Sequence, residues 1–354
     1  MRWWPPWVPS WCRAAGRRRR STSRSTPRCR SPRSWPDPAV LGLLLLAGGA
    51  VLLVGGAEVF AEYVVRAARR WGLTALALGV LLAGAEPEEA VTAGIAAARD
   101  RPELAVGDAI GANLVVLTLA LGMAAVLTTL PVSGRVREYA AGASLAGVLS
   151  VAVLYDGEVS RVDGGILVAT YSLAVIWVWR REQAPPPIGE LSEVADPDRK
   201  VGGLRAAPFL VLLGIAAMVV GGWVAVNGAE RLVTSAGLDD TGVGLTLLAL
   251  ATSAEMLALV ASAARRRIGE VAVAGLVGAV AYNATVSLGV AALVAPLHGV
   301  DDGRLLGAAV VGAALPLVVL VLGGGEGRRA RVRSRAVGAL LVAVYLVGVP
   351  LVLT

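Results

Sequence analysis

Ten apolar runs follow one another between residues 39 and 353, each near the ~20 residues a helix needs to cross a bilayer. They cover about 39–62, 72–97, 104–130, 138–156, 162–180, 207–228, 241–264, 270–296, 303–323 and 335–353. A helix that is apolar on every side must be buried in protein or lipid. The expected fold class is therefore an all-α polytopic membrane protein with ten transmembrane helices. The longest polar connection, 181–206, divides the runs into five and five.

Charge is concentrated away from these runs. The net charge is +7, yet residues 1–38 hold ten Arg against the single acid Asp37, so the remaining residues sum to −2. The leader is rich in Arg, Ser and Pro without helical periodicity, and reads as a basic disordered segment that is expected to be absent from the mature chain. Being detached from every apolar run, it gives no reason to expect a nucleic-acid partner. Cys12 and Cys29 both lie in it, which excludes a disulfide framework or thiolate metal site in the body. The only histidine, His298, sits in a predicted loop, which excludes a histidine triad or multi-histidine metal centre. Residues 323–327, Gly-Gly-Gly-Glu-Gly, lack the Gly-Lys-Ser/Thr ending of a phosphate loop and read as a linker. No enzymatic activity and no cofactor are expected.

Counting Lys and Arg in the connections orients the bundle. The odd connections carry 18 and the even ones 5, so the odd connections are expected in the cytoplasm and both termini outside a cell membrane. Arg265 to Arg267 read as such orienting charges. The leader's arginines would favour the opposite orientation, which is a further reason to expect its removal.

The two halves repeat one another. Gly56-Ala57-Glu58 recurs as Gly228-Ala229-Glu230, and Gly72-Leu73-Thr74 as Gly244-Leu245-Thr246. From Glu88 onward the offset is 167, pairing Glu88 with Glu255, Gly111 with Gly278 and Leu121-Gly122 with Leu288-Gly289. Each half has an odd number of runs, so the second is expected upside down relative to the first. Inverted repeats place a transport site where the two halves meet. The expected organisation is a repeat at 39–180 with its core at about 72–127, a cytoplasmic linker at 181–206, and a repeat at 207–354 with its core at about 241–294.

Within the second run, Glu86-Pro87-Glu88-Glu89 puts three carboxylates and a proline in an otherwise uncharged stretch. A carboxylate at the bilayer centre costs roughly 2.5–3.5 kcal/mol on insertion scales, so it belongs beside a cavity or an ion path. Pro87 removes a backbone donor and is expected to free a carbonyl one turn earlier, outside the regular helix. The partner segment is Ala251-Thr252-Ser253-Ala254-Glu255, again inside an apolar run. Glu88 and Glu255, facing one another with hydroxyl and carbonyl oxygens around them, suit a hard cation such as Ca²⁺. The same carboxylates can carry protons. Asp108 reads either as a charge at the mouth of the third run or as a partner behind the site. Glu58 and Glu230 are expected to pair with Arg66 or Arg231.

This pair of acidic motifs, each followed by a Gly-rich, Asn-bearing run, resembles the repeats of the calcium:cation antiporter superfamily, which holds sodium/calcium and calcium/proton exchangers. Its sodium/calcium members carry Gly-Thr-Ser-x-Pro-Glu. Here Gly84 to Glu88 and Ala251 to Glu255 have a shorter spacing, and only Thr252-Ser253 retains the Thr-Ser pair. The following motif, roughly Gly-Asn-x-x-Gly-Ser-Asn-x-x-Asn, is matched in part by Gly107 to Asn113 and by Gly278 to Asn283, which leaves Asn113 and Asn283 as complementary survivors. The resemblance implies a cation site made by Glu88, Glu255, Asn113, Asn283, Thr252 and Ser253, with Glu86 and Asp108 as secondary candidates and Glu88 and Glu255 as the metal ligands. Ala112 and Ala279 stand at serine positions that the family uses for sodium, which favours protons as counter-ion.

The function that follows is exchange of Ca²⁺ or another cation for H⁺ or Na⁺ by alternating access, with the bilayer and small inorganic cations as partners. Sodium/proton exchange on the same scaffold, a passive cation pore, and a membrane protein without transport are the competing readings.

Overall fold

Prolines set where helices begin. In the computed structural model, which describes residues 37–70, 86–127, 130, 132–182, 207–266, 269–322 and 328–353, α1 (Pro38–Arg70), α2 (Pro87–Ala98) and α3 each start on a proline. Proline is favoured at that position because the first helical N–H has no intrahelical partner to lose. The side chain of Asp37 accepts from the Ala39 N–H and completes the first of these starts. The leader 1–36, most of the 181–206 connection, the 323–327 linker and residues 72–85 of the second run lie outside the described residues.

The remaining helices follow the apolar runs. α3 occupies Pro102–Leu127, α4 Gly134–Leu154, α5 Arg161–Glu182 and α6 Ala207–Ala236. α7 (Asp240–Thr252) and α8 (Ala254–Arg266) meet at a 43° bend on Ser253. α9 runs from Gly269 to Val294 and α10 from Gly303 to Leu322, tightening to a 3₁₀ turn over Leu315–Leu317 where Pro316 withholds its N–H. α11 is Arg328–Leu353. Among the described residues eight helices are long and apolar enough to cross a membrane, or nine with the bent pair counted as one.

Two differences from the expected boundaries matter. α1 and α6 extend past the ends expected from their apolar runs, so Glu58 and Glu230 lie within helices rather than near their ends. Glu58 is exposed, and Glu230 pairs with Arg99 at 3.5 Å and Arg101 at 4.0 Å instead of Arg231. His298 lies in a two-residue strand, β2 (Leu297–His298), paired antiparallel with β1 (Glu158–Val159), so the fold is not purely helical.

α3 and α9 form the centre, each 72% buried over its most apolar window, against 28% for α1 and α4 and 17% for α11. α3 and α9 carry π-turns at Val115–Ala120 and Asn283–Ser287, positions related by the sequence repeat, and α7 carries a third at Gly244–Leu248. Such turns cluster at functional sites because they leave the ordinary i→i−4 ladder. Thr118, Thr246 and Thr285 each donate back to the carbonyl four residues earlier, taking up an acceptor there.

The peripheral pair α1 and α6 packs through glycines seven residues apart on each helix. Gly42 meets Gly228, Gly49 meets Gly221 and Gly56 meets Gly214, in antiparallel register. A Cβ on Gly49 would sit 2.6 Å from the Ala225 nitrogen, so the backbones themselves are in contact. The repeat relation extends to other contacts. Gly122 of α3 packs on Gly338 of α11, while its repeat partner Gly289 of α9 packs on Gly164 of α5.

Every even-numbered connection that is described gathers at one end. Arg101 bonds Asp240 at 2.9 Å, Arg304 bonds Asp239 at 2.9 Å and Asp302 at 2.8 Å, and the Arg304 guanidinium also reaches the Val352 carbonyl. Glu158 pairs with His298 across the two strands. At the opposite end Arg181 bonds Glu138 at 2.8 Å. Hydrogen bonds from Arg304 hold the carboxyl of Asp302 below its usual 3.8. Asp239 is lowered too, its bonds to Arg304 and Gly242 outweighing its burial. A depressed folded pKa contributes stability above the unfolded value that is lost as pH falls through the folded one. Acidification from pH 6 to below about 4 should therefore lower the melting temperature of the wild type more than that of Asp302→Asn, read by thermal unfolding in detergent. Equal losses would contradict a role for this ion-pair group in holding the end together.

Candidate functional site

The start of α2 in the first half meets the α7–α8 break of the second half, where Ser253 bonds Glu89. Glu86 sits just before α2 with non-helical backbone, Pro87 opens the helix, and Glu88 and Glu89 occupy its first turn. Pro87 is thus the first residue of α2, and the carbonyl expected to be freed a turn earlier lies outside the described residues. In the second half Ser253 breaks the α7–α8 span and Glu255 occupies the first turn of α8. Both acidic motifs thus lie at helix N-termini, where the dipole favours negative charge.

The carboxyls form a linked row. Asp108 neighbours Glu89, Glu89 neighbours Glu86, and Glu86 neighbours both Glu88 and Glu255. Glu88 and Glu255 lie within hydrogen-bonding reach of one another. Glu86, Glu88, Glu89 and Asp108 are buried, and Glu255 is half-buried. Asp108 is fully buried inside α3, which rules out a place at the helix mouth.

The second half supplies hydrogen bonds to the acids of the first. Ser253 Oγ donates to Glu89 Oε1 at 3.0 Å, and Thr252 Oγ1 donates to Asp108 Oδ1 at 3.2 Å. Asn283 Nδ2 donates to Glu86 Oε2 at 2.9 Å, and Ser287 Oγ donates to Asn283 Oδ1 at 3.1 Å. The other oxygens, Glu86 Oε1, Glu88 Oε2, Glu89 Oε2 and Asp108 Oδ2, are buried without a hydrogen-bond partner among the described residues. There too, no Lys, Arg or His forms an ion pair with any of these four acids. A buried carboxylate without compensation is costly enough that it must be neutralised by a cation or a proton.

Of the residues expected at the site, Glu88, Glu255, Thr252, Ser253, Asn283, Glu86 and Asp108 join this row. Asn113 is buried in α3, and among the described residues its Oδ1 has no hydrogen-bond partner. Glu89 was not expected, because its repeat partner is Met256. The signal that points to it is its place beside Glu86 and Glu88 as a third carboxylate in an otherwise uncharged apolar run. Among the described residues no three acids converge closely enough to hold a metal by themselves. An ion here would draw on hydroxyl, amide or carbonyl oxygens as well. Thr252→Val, which keeps the shape and strands Asp108 Oδ1, should cost about 1–3 kcal/mol and lower the melting temperature in detergent. An unchanged melting temperature would show that this bond adds nothing.

The family model described as sodium/calcium exchanger protein matches residues 39–180 and 206–354. The chain belongs to this family. It is therefore an integral membrane protein of a cation antiporter family, and the family is one of transporters rather than enzymes. Curated relatives include the inner membrane protein YrbG of Escherichia coli K12, 29% identical over 73% of this chain and 79% of that protein. The putative antiporter CaxA of Alkalimonas amylolytica is 27% identical over 84% of this chain and 94% of its own length. Among solved structures, the sodium-calcium exchanger NCX_Mj soaked with Na⁺ and Sr²⁺ superposes with a TM-score of 0.58. That match is 21% identical and covers 88% of this chain and 98% of the exchanger, and it establishes the shared fold.

Proposed function

We propose that the chain exchanges Ca²⁺, or another hard cation, for H⁺ or Na⁺ by alternating access at the carboxylate row. The observation that carries this reading is the set of buried acid oxygens left without partners among the described residues at the meeting point of the two acidic motifs. Glu88 and Glu255 bind either the divalent cation or the counter-ions, never both together. That competition couples the two fluxes. A site neutralised before it reorients avoids carrying bare charge through the bilayer.

The scaffold proposed for this is ten transmembrane helices in two inverted five-helix halves, with the row near the midplane and both termini outside. The repeat-related glycine contacts and the gathering of even connections at one end support it. Buried Ala112 and Ala279, which bring no side-chain oxygen, favour protons as the counter-ion. In proteoliposomes, an outward pH gradient is expected to drive saturable Ca²⁺ uptake more strongly than an outward sodium gradient. Non-saturating Ca²⁺ flux that needs no counter-ion would contradict exchange and indicate a pore.

A further inference from the structure

A lateral groove of about 670 Å³ opens between α4, α5 and α9. α4 and α5 are joined through β1 yet hardly touch one another, and Val277, Ala281 and Thr285 of α9 close the gap between them. The Thr285 hydroxyl is turned back to the Ala281 carbonyl, so it does not make the floor polar. Along α4 the lining runs from Glu138 to Ala152, which is about 21 Å at 1.5 Å per residue. A bilayer leaflet's hydrocarbon is about 15 Å deep, half of ~30 Å. The groove therefore takes an extended hydrocarbon chain from one leaflet along its whole length.

One end of the groove is basic. Trp177 lines it, and Arg180 and Arg181 continue the same face of α5 three and four residues on. Arg181 stacks over the Trp177 ring at 5.2 Å and reaches Glu138 across the mouth. Arg180 is exposed beside it, and Arg135 and Arg137 are exposed at the start of α4. An apolar channel of leaflet length that ends at a tryptophan and several arginines matches one ligand chemistry, a lipid with a negative headgroup.

We propose that this groove holds one acyl chain of an anionic phospholipid whose headgroup phosphate lies against Arg180 and Arg181. The chain then rests on the helix that carries Asn283, two residues before Thr285. Lipid occupancy would thereby bear on the π-turn beside Glu86. The proposal is independent of which ions are exchanged.

Native mass spectrometry of the full chain with phosphatidylglycerol and with phosphatidylcholine of the same acyl chains tests it. A single phosphatidylglycerol is expected to stay bound, with phosphatidylcholine at least about fivefold weaker. Arg180→Gln should bring phosphatidylglycerol down by about fivefold, the effect of ~1 kcal/mol for one surface arginine. Gly142 lines the groove, and a Cβ there meets nothing within 4 Å, so Gly142→Phe fills the space without a backbone clash. That variant should lose the lipid while melting normally. Retention of the lipid by Gly142→Phe would overturn the proposal. So would a lipid-free monomer under excess phosphatidylglycerol, with the groove filled by the chain's own 183–206 segment, or a lipid-free dimer sealed through the groove. If Gly142→Phe does not fold, the wild type still decides. Dibrominated phosphatidylglycerol should quench tryptophan fluorescence beyond phosphatidylcholine of the same bromination, and equal quenching would count against the site.

Discussion

Glu88→Gln is expected to weaken Ca²⁺ binding by the purified protein at least ~30-fold, corresponding to the ~2 kcal/mol or more lost when one member of a buried charged pair is truncated. Glutamine keeps the shape and buried volume of a protonated glutamate, so folding should survive. Removing one carboxyl from a row that also contains Glu86, Glu89, Asp108 and Glu255 relieves repulsion between like charges. The melting temperature without cation should therefore stay the same or rise, while the stabilisation given by added Ca²⁺ disappears. Isothermal titration alongside thermal melting in detergent reads both. A variant that binds Ca²⁺ like the wild type would remove Glu88 from the site.

Gly49→Leu is expected to have the largest effect on assembly. Its Cβ would fall 2.6 Å from the Ala225 nitrogen and 2.7 Å from the Gly221 carbonyl oxygen. Because both are backbone atoms, α1 and α6 must separate, and forced overpacking of this kind costs about 1–3 kcal/mol or more. Gly48→Leu is the internal control, since a Cβ on that neighbouring residue meets nothing within 4 Å. The melting temperature or yield of folded protein should fall for Gly49→Leu and hold for Gly48→Leu. Equal behaviour would mean that the glycine spacing does not determine the packing of this pair.

The sequence made the membrane class, the duplicated acidic motif and the pairing of Glu88 with Glu255 legible, because a charge inside an apolar run is costly wherever the chain goes. It also pointed to Thr252, Ser253 and Asn283. What those groups bond was not legible. The bonds from Thr252 to Asp108 and from Asn283 to Glu86 join residues 144 and 197 positions apart. No local periodicity encodes such contacts. Asp108 could be read in two ways because depth along a helix depends on where that helix starts, and Pro102 starts α3 six residues before it. Glu89 has no acidic counterpart in the second half, where Met256 stands at its repeat position, so duplication does not mark it. The glycines at 42, 49 and 56 recur at 214, 221 and 228 in the register that relates Gly56 to Gly228, yet nothing local to either set says that the two pack on one another.

Ca²⁺ uptake by proteoliposomes under an outward counter-ion gradient, compared between the wild type and Glu255→Gln, bears most directly on exchange at the carboxylate row. The wild type should take up Ca²⁺ only while the gradient lasts and saturate with Ca²⁺. Glu255→Gln, inserted to the same level, should show no gradient-driven uptake. Undiminished uptake by Glu255→Gln would place transport somewhere other than the row that joins the two halves.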